Sequence, residues 1–267
     1  DLNLNSLRIV CTGGEPWTEK PWKWLFEFIG KSKVPIMNSA GGTEVSGSIL
    51  HCCLHRPFKV GSFNAPIPGM SADILTLDGK KVSTDEMGEL VMRKSSIGLT
   101  KSLWNDDDRY IKNYWSIIKD FWVHGDLASK DKDGHWFLHG RSDDTIKVSG
   151  KRIGPSELES VIVKSGKAKE VAAVGIPDEN KGSKIILSIV LLENSEEKES
   201  YFENLVINDL GKSFKPDKII FVKDLPKTRN MKIMRRVIKS CLAKEDPGDI
   251  STLLNPESVE EIRAHAI

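Results

Sequence analysis

The sequence predicts an α/β layer that passes into a β-rich segment built as a small barrel or sandwich, and then a separate compact α+β module. Three observations carry this. A short apolar run at residues 7–10 stops at Thr12-Gly13-Gly14, and Trp22, Leu25, Phe26 and Ile29 then repeat at helical spacing; strand, loop and amphipathic helix in that order suggest a parallel sheet with a helical layer. Over residues 59–93, short alternating runs (SADILTL, GELVMRK) are parted by Gly, Pro and Asp-Gly turns, the pattern of short antiparallel strands. Beyond residue 143 the chain starts a fresh series of helix and strand patterns that reads as a domain of its own.

Taken in order, the first strand ends at Gly14-Glu15-Pro16, and a helix starts near Thr18 with Trp22 facing the core. Ligands tend to sit beyond the carboxyl ends of such parallel strands. Residues 34–39 form the next strand, which breaks at Gly41-Gly42-Thr43-Glu44. Two glycines bring backbone close to a ligand, a hydroxyl can bond a phosphate oxygen, and a carboxylate can hold Mg²⁺; the plainer alternative is a Gly turn with a Thr cap. His51-Cys52-Cys53-Leu54-His55 offers four possible metal ligands, but structural zinc sites space theirs as two separated pairs, so strand pairing is the better reading. LDGKKV is a hairpin signal, and Asp106, Asp107 and Asp108 cap a helix rather than bind metal.

Residues 122–155 hold the greatest density of usable chemistry. They read as strand (FWVHGDLA), Asp-Gly turn, strand (HWFLHGR), polar bend and a third strand. Asp126 and Arg141 fall at neighbouring strand ends, where a carboxylate can accept two hydroxyls of a diol and a guanidinium can add charge-assisted donors. A hairpin with a solvated charged turn is the competing reading. In the following module, Ser156 and Glu159 form a capping box before the helix ELESVIVK. Strands EVAAVGIP and KIILSIVLL, a helix at YFENLVINDL, a strand at KIIFVKDL and a last helix from about Met234 complete it.

Composition excludes several classes. The 267 residues suffice for two cores, and 39% hydrophobic with 29% charged content is ordinary for a soluble protein. A net charge of +1 with mixed signs gives no reason to expect nucleic acid or an anionic membrane as partner. No apolar run is long enough for a membrane span, and no secretory signal is visible at the start. Four cysteines without framework spacing fit a reducing compartment, so a cytoplasmic location is expected.

The stretch HGDLASKDKDGHWFLHGRSDDTIKVSGKRIGPSELES resembles the signature of the adenylate-forming acyl-CoA synthetases, most closely the acetyl-CoA synthetase branch. LPKTRNMKIMRRVIK resembles that branch's catalytic-lysine segment, and DPGDISTLLNPESVEEIRAHAI its tail. The resemblance implies that residues 1–142 are the end of a large adenylation domain, with an α/β layer to about residue 50 and then the β-barrel remainder. Residues 143–267 would be a small mobile C-terminal lid. It implies ATP, CoA and Mg²⁺ as cofactors and a small carboxylate as the other substrate. By the same resemblance Gly14, Glu15 and Pro16 line the adenine site, Thr43 contacts phosphate, and Glu44 holds the metal. Asp126 takes the ribose hydroxyls, Arg141 and Arg152 make further nucleotide contacts, and Asp143 is the hinge. Ser149 and Gly150 guide CoA, and Lys232 stabilises the charge that grows when a carboxylate attacks the α-phosphate.

Four departures from the family pattern bear on function. Gly41 stands where acetyl-specific enzymes place a Trp that closes the acyl pocket; an open position there suggests an acid larger than acetate, since each buried methylene is worth about 0.8 kcal/mol. Lys147 replaces a common Asn. Asn230-Met231-Lys232 replaces Ser-Gly-Lys, and Met stiffens a loop where Gly is replaceable only at negative φ. The family's phosphate-binding loop, whose amides orient the outgoing phosphates, has no counterpart here. The chain therefore reads as a fragment that should not make an adenylate efficiently alone. Two rival readings are an adenylating enzyme that loads a carrier protein and a non-catalytic nucleotide-binding module.

Overall fold

A computed structural model describes residues 3–267. The chain forms two compact units, Asp1–Ser142 and Asp143–Ile267.

In the first unit, β1 (Val10–Gly13) pairs in parallel with β2 (Ile36–Gly42), joined by α1 (Glu19–Trp24), whose last turn continues as a π-turn over Leu25–Ile29. Trp22 is the side chain of α1 that is buried. β3 (Gly47–His51) and the short β4 (Ala65–Pro66) add antiparallel strands, giving the order β1-β2-β3-β4. The expected break at Gly41-Gly42 does not occur: β2 runs through both glycines, and the chain turns only at the 3-10 turn Thr43–Val45.

The second sheet has the order β5-β6-β7-β8, with every neighbour antiparallel: β5 (Ala72–Leu75), β6 (Gly88–Met92), β7 (Trp122–Lys130) and β8 (Trp136–Arg141). LDGKKV makes its turn, with Gly79 N–H donating to Thr76 O at 2.9 Å, but returns as a single bridge between Leu75 and Lys81 rather than as a strand. Asp106 caps α2 (Asp107–Tyr110), its carboxylate accepting from the Arg109 N–H at 3.3 Å. One core joins the two sheets, with Ile49 and Leu50 from β3 meeting Leu90, Met92 and Trp122 from the second sheet.

The second unit begins with a hairpin of β9 (Ile146–Val148) and β10 (Lys151–Ile153). Its centre is a sheet of β11 (Ala168–Asp178), β12 (Gly182–Leu191) and β13 (Lys218–Phe221) in that order, the first pair antiparallel and the second parallel. Alternate residues feed two cores. Val171, Ala173, Ile185 and Leu187 pack with α3 (Pro155–Lys164) and α4 (Glu199–Leu210), while Ala172, Val174, Ile186 and Ile220 pack with α5 (Arg235–Leu242) and α6 (Glu257–Arg263). A sheet covered on both faces explains why these strands read as continuous apolar runs.

Two expectations need correction here. The N-terminus of α3 is closed by Glu157 alone, not by a box of Ser156 and Glu159: the Glu157 carboxylate accepts from the N–H of the N-cap Gly154 at 2.9 Å. Glu159 is instead buried, receiving the Ala173 N–H at 2.9 Å and a two-pronged Arg235 at 2.9 and 2.8 Å. The helix from Met234 is also not the last, because α6 follows it. Among the described residues no helix is long and apolar enough to cross a membrane.

Candidate functional site

Asp126 and Arg141 stand directly opposite one another in the β7–β8 ladder. Arg141 Nη1 lies 3.8 Å from Asp126 Oδ1 and donates to the carbonyl oxygen of His124 at 3.0 Å. Gly125 makes this course possible. It sits at φ +84°, and a Cβ there would come within 2.6 Å of the Arg141 guanidinium, so any side chain would displace it. His124 Nε2 approaches Asp126 Oδ2 at 3.2 Å. The carboxylate is thus addressed by the imidazole on one oxygen and by the guanidinium on the other.

Glu44 reaches the same neighbourhood from the end of β2. Its Oε1 accepts from the Tyr114 hydroxyl at 2.9 Å, and its backbone carbonyl accepts from the Thr100 N–H at 2.7 Å. Burial, reinforced by the carboxylate of Glu44, pushes the Tyr114 phenol up to about 12, so it remains a donor at neutral pH. The Tyr114 ring stacks on Trp122 at 5.3 Å, and Trp122 meets His124 at 5.5 Å. A Cβ built on Gly42 would lie 2.9 Å from Glu44 Oε2 and 3.2 Å from the His124 ring; the two side chains converge on that glycine. A continuous series, Glu44, Tyr114, Trp122, His124 and Asp126, therefore ties the end of the first sheet to the middle of the second.

Of the residues expected from sequence, the structure brings together Glu44, Asp126 and Arg141, with Thr43 one residue away from the first. Gly14, Glu15 and Pro16 follow the carboxyl end of β1, the strand that pairs with β2. Tyr114 and His124 were not foreseen. His124 is buried beside Asp126, and its Nδ1 has no hydrogen-bond partner; its place two residues before Asp126 in an alternating strand was the available signal.

Gly41 behaves differently from the expectation of free volume. A Cβ there would lie 2.1 Å from the Gly47 carbonyl oxygen and 2.5 Å from Ser48 Cα, so the side-chain position is already filled by the backbone of β3. The β2–β3 register shifts at this point, between Ala40 and Gly41, and the two strands close on each other through the missing side chain.

In the second unit, Ser149 and Gly150 form the two-residue turn between β9 and β10, at φ +49° and +82°. Two successive positive φ values mark the type I′ hairpin turn. Arg152 pairs across that hairpin with Lys147, and both are exposed. Asp143 is the first residue of the unit. Lys232 is exposed on a second hairpin, where Thr228 N–H donates to Lys232 O at 2.9 Å and Met231 N–H to Thr228 O at 2.8 Å. Met231 takes φ +64°, the left-handed position that Gly usually fills in a three-residue hairpin loop. The condition set for replacing that Gly, a negative φ, is not met.

Among the described residues there is no group of three or more His, Cys, Asp or Glu side chains placed to hold a metal ion. Mg²⁺ that arrives on a nucleotide needs only one or two protein carboxylates alongside phosphate oxygens and water, and the Glu44 carboxylate is the group here that could supply one.

Residues 1–104 match the AMP-binding enzyme family, and residues 157–232 match the AMP-binding enzyme C-terminal domain. The chain belongs to the AMP-binding enzyme family. Its acetyl-coenzyme A synthetase relatives include that of Methanothrix thermoacetophila, 39% identical over 97% of this chain and 40% of the relative. That of Pasteurella multocida is 38% identical over 98% of this chain and 42% of the relative. The chain thus spans about two fifths of the length of these relatives. Among solved structures, acetoacetyl-CoA synthetase from Streptomyces lividans superposes with a TM-score of 0.84 at 23% identity, covering 99% of this chain and 41% of that one. The anthranilate CoA ligase AuaEII in complex with anthranoyl-AMP superposes with a TM-score of 0.74 at 26% identity, over 89% of this chain and 45% of the ligase.

Proposed function

We propose that this AMP-binding family chain is the carboxyl-terminal portion of an ATP-dependent acyl-CoA synthetase. The enzyme would convert a carboxylic acid, ATP and CoA into acyl-CoA, AMP and pyrophosphate through a bound acyl-adenylate. The observation that carries the reading is the convergence of Glu44, Asp126 and Arg141. A carboxylate paired with a guanidinium suits the diol of a ribose, and a second carboxylate nearby suits a phosphate-bound cation. The antiparallel sheet of β5 to β8 is read as the barrel remainder of the large adenylation domain, and the unit from Asp143 as the mobile lid, with Asp143 as its pivot.

Each residue has a definite task in this reading. Asp126 accepts the ribose hydroxyls, and Arg141 both contacts the nucleotide and orients that carboxylate. Gly14, Glu15 and Pro16 border adenine. Thr43 donates to a phosphate oxygen, while Glu44, braced by Tyr114, holds Mg²⁺, which neutralises phosphate charge when bound. Arg152 adds a nucleotide contact, and Ser149 with Gly150 presents a side-chain-poor turn along which the CoA thiol enters. Lys232 is assigned the acid activation step: its ammonium stabilises the charge that develops on the α-phosphate more than it stabilises the ground state.

The acid is proposed to be a short- or medium-chain carboxylate larger than acetate. What supports this is the absence of an indole at position 41 in the sequence; the structure adds no free volume there, because the backbone of Gly47 and Ser48 fills the place. The test of the whole reading separates the two half-reactions in the enzyme that carries this chain. Lys232→Ala is expected to abolish adenylate formation from acid and ATP while sparing thioester formation from supplied acyl-adenylate. Equal loss of both half-reactions, or acyl transfer to a carrier protein without release of acyl-CoA, would overturn it.

A further inference from the structure

We propose that Asn255 is a positioning residue for Lys232, acting through a strap formed by the segment from Ile250 to α6. The inference rests on the reading of Lys232 as the catalytic lysine. The hairpin that carries Lys232 is small. Its two sides are joined by the Lys227–Ile233 bridge and by Met234 N–H donating to Pro226 O at 2.8 Å. The backbone of Lys232 depends on one residue, Thr228, whose N–H donates to Lys232 O at 2.9 Å and whose hydroxyl accepts from the Lys232 N–H at 3.2 Å. A two-stranded hairpin alone is marginally stable in water. Wherever Thr228 goes, Lys232 follows.

The strap lies alongside the hairpin as a third segment, joined to it by one bridge and one backbone hydrogen bond. Leu253 bridges Thr228, and Leu254 N–H donates to Lys227 O at 2.8 Å. Asn255 then closes the arrangement with its side chain, which is nearly completely buried. Its Oδ1 accepts from the Lys227 N–H at 3.0 Å, and its Nδ2 donates to Asp224 Oδ2 at 2.7 Å and Leu225 O at 2.8 Å. Its own carbonyl accepts from the Ser258 hydroxyl at 2.7 Å at the start of α6, and α6 is fixed in the core by Val259 and Ile262. One amide therefore links a buried helix to both residues 224–225 and residue 227, on the strand that leads into the Lys232 loop.

Lys227 strengthens the same joint. Its buried ammonium lies 2.6 Å from Asp224 Oδ1 and 2.7 Å from Glu170 Oε2, so Asp224 is shared between Lys227 and Asn255. Removing the Asn255 amide leaves the two cores of the unit, the ion pairs and the backbone contacts of Leu253 and Leu254 in place, but it removes the side-chain bonds that hold the strap to residues 224, 225 and 227.

The test is amide hydrogen exchange on the 267-residue chain. In Asn255→Ala, which loses three side-chain hydrogen bonds while the backbone ties of the strap remain, the Thr228 and Met231 amides are expected to exchange at least about tenfold faster, while Ala172, Val174 and Ile186 keep wild-type rates. Wild-type exchange at the hairpin, or equal acceleration throughout the unit, would overturn the proposal. Asn255→Asp serves where the alanine variant does not fold. It keeps the oxygen that accepts from Lys227 and sets a carboxylate against Asp224, and acceleration confined to the hairpin is again expected, with wild-type rates there the contrary result. In the enzyme, either variant should lower kcat for adenylation with thioester formation from supplied adenylate unchanged; equal loss of both would make Asn255 merely structural. An enzyme that still adenylates as Lys232→Ala would refute the role of the lysine while leaving the exchange result standing.

Discussion

Met231 offers a direct test of the backbone on which the catalytic assignment depends. A non-glycine residue at φ +64° sits in a region that costs an L-amino acid about 1–2 kcal/mol. Its side chain is 57% exposed, so little packing is lost on truncation. Gly removes the strain but enlarges the entropy of the unfolded chain by about 0.5–1 kcal/mol, which offsets part of the gain. Met231→Gly should therefore stabilise the chain by about 0.5–1 kcal/mol. Met231→Asn should gain less, because Asn tolerates this region only partly. Met231→Val should lose about 1 kcal/mol or more, because a branched Cβ is least compatible with it. Urea unfolding of the four proteins, with m-values compared to exclude changes in the denatured state, gives the order Gly, Asn, Met, Val. Equal midpoints for Gly and Val would refute the left-handed conformation and with it this geometry of the Lys232 loop.

Two further outcomes are expected. Tyr114 is held protonated first by burial and then by Glu44; a phenol with a raised folded pKa contributes stability that is complete below about pH 10 and is lost as pH rises through about 12. Glu44→Gln should therefore lower the Tyr114 transition only in part, because burial remains, and tyrosinate absorbance during alkaline titration reads the change. Gly41→Ala should destabilise the first unit by about 1–3 kcal/mol, the usual range for an overpacked position, since its Cβ would overlap the Gly47 carbonyl oxygen; a neutral effect on thermal unfolding would show that β3 yields easily and that the position can admit a side chain.

Much of the second unit was legible because its strands obey a simple rule. β11 and β12 are apolar on both faces and their flanking helices repeat at helical spacing, so periodicity alone located them. Its last helix was not. α6 has only seven residues, of which Ser258, Val259 and Ile262 are buried, too short a stripe to stand out. The N-cap lies two residues before the expected Ser156 because Gly154 has no side chain to advertise it, and the Glu157 carboxylate does the work alone. Glu159 could be recognised only in three dimensions, where Arg235 arrives from 76 residues away.

The candidate site divides in the same way. Asp126 and Arg141 could be anticipated from two strands and a turn, because a hairpin of that length places strand ends opposite one another. Tyr114 could not, since its bond to Glu44 spans 70 residues and depends on Trp122 to hold the ring. Gly41 shows the converse failure. Sequence comparison treats a glycine as an empty place, whereas here the neighbouring strand has moved into it.

The central claim, that Asp126 belongs to a nucleotide site, is tested most directly by calorimetric titration of the chain and of Asp126→Ala with ethyl-AMP and butyl-AMP. Loss of the charged hydrogen bonds should weaken both esters by about 1.5–3 kcal/mol in the variant. Binding that is the same in Asp126→Ala as in the wild type would contradict the assignment of this carboxylate, and with it the reading of the site.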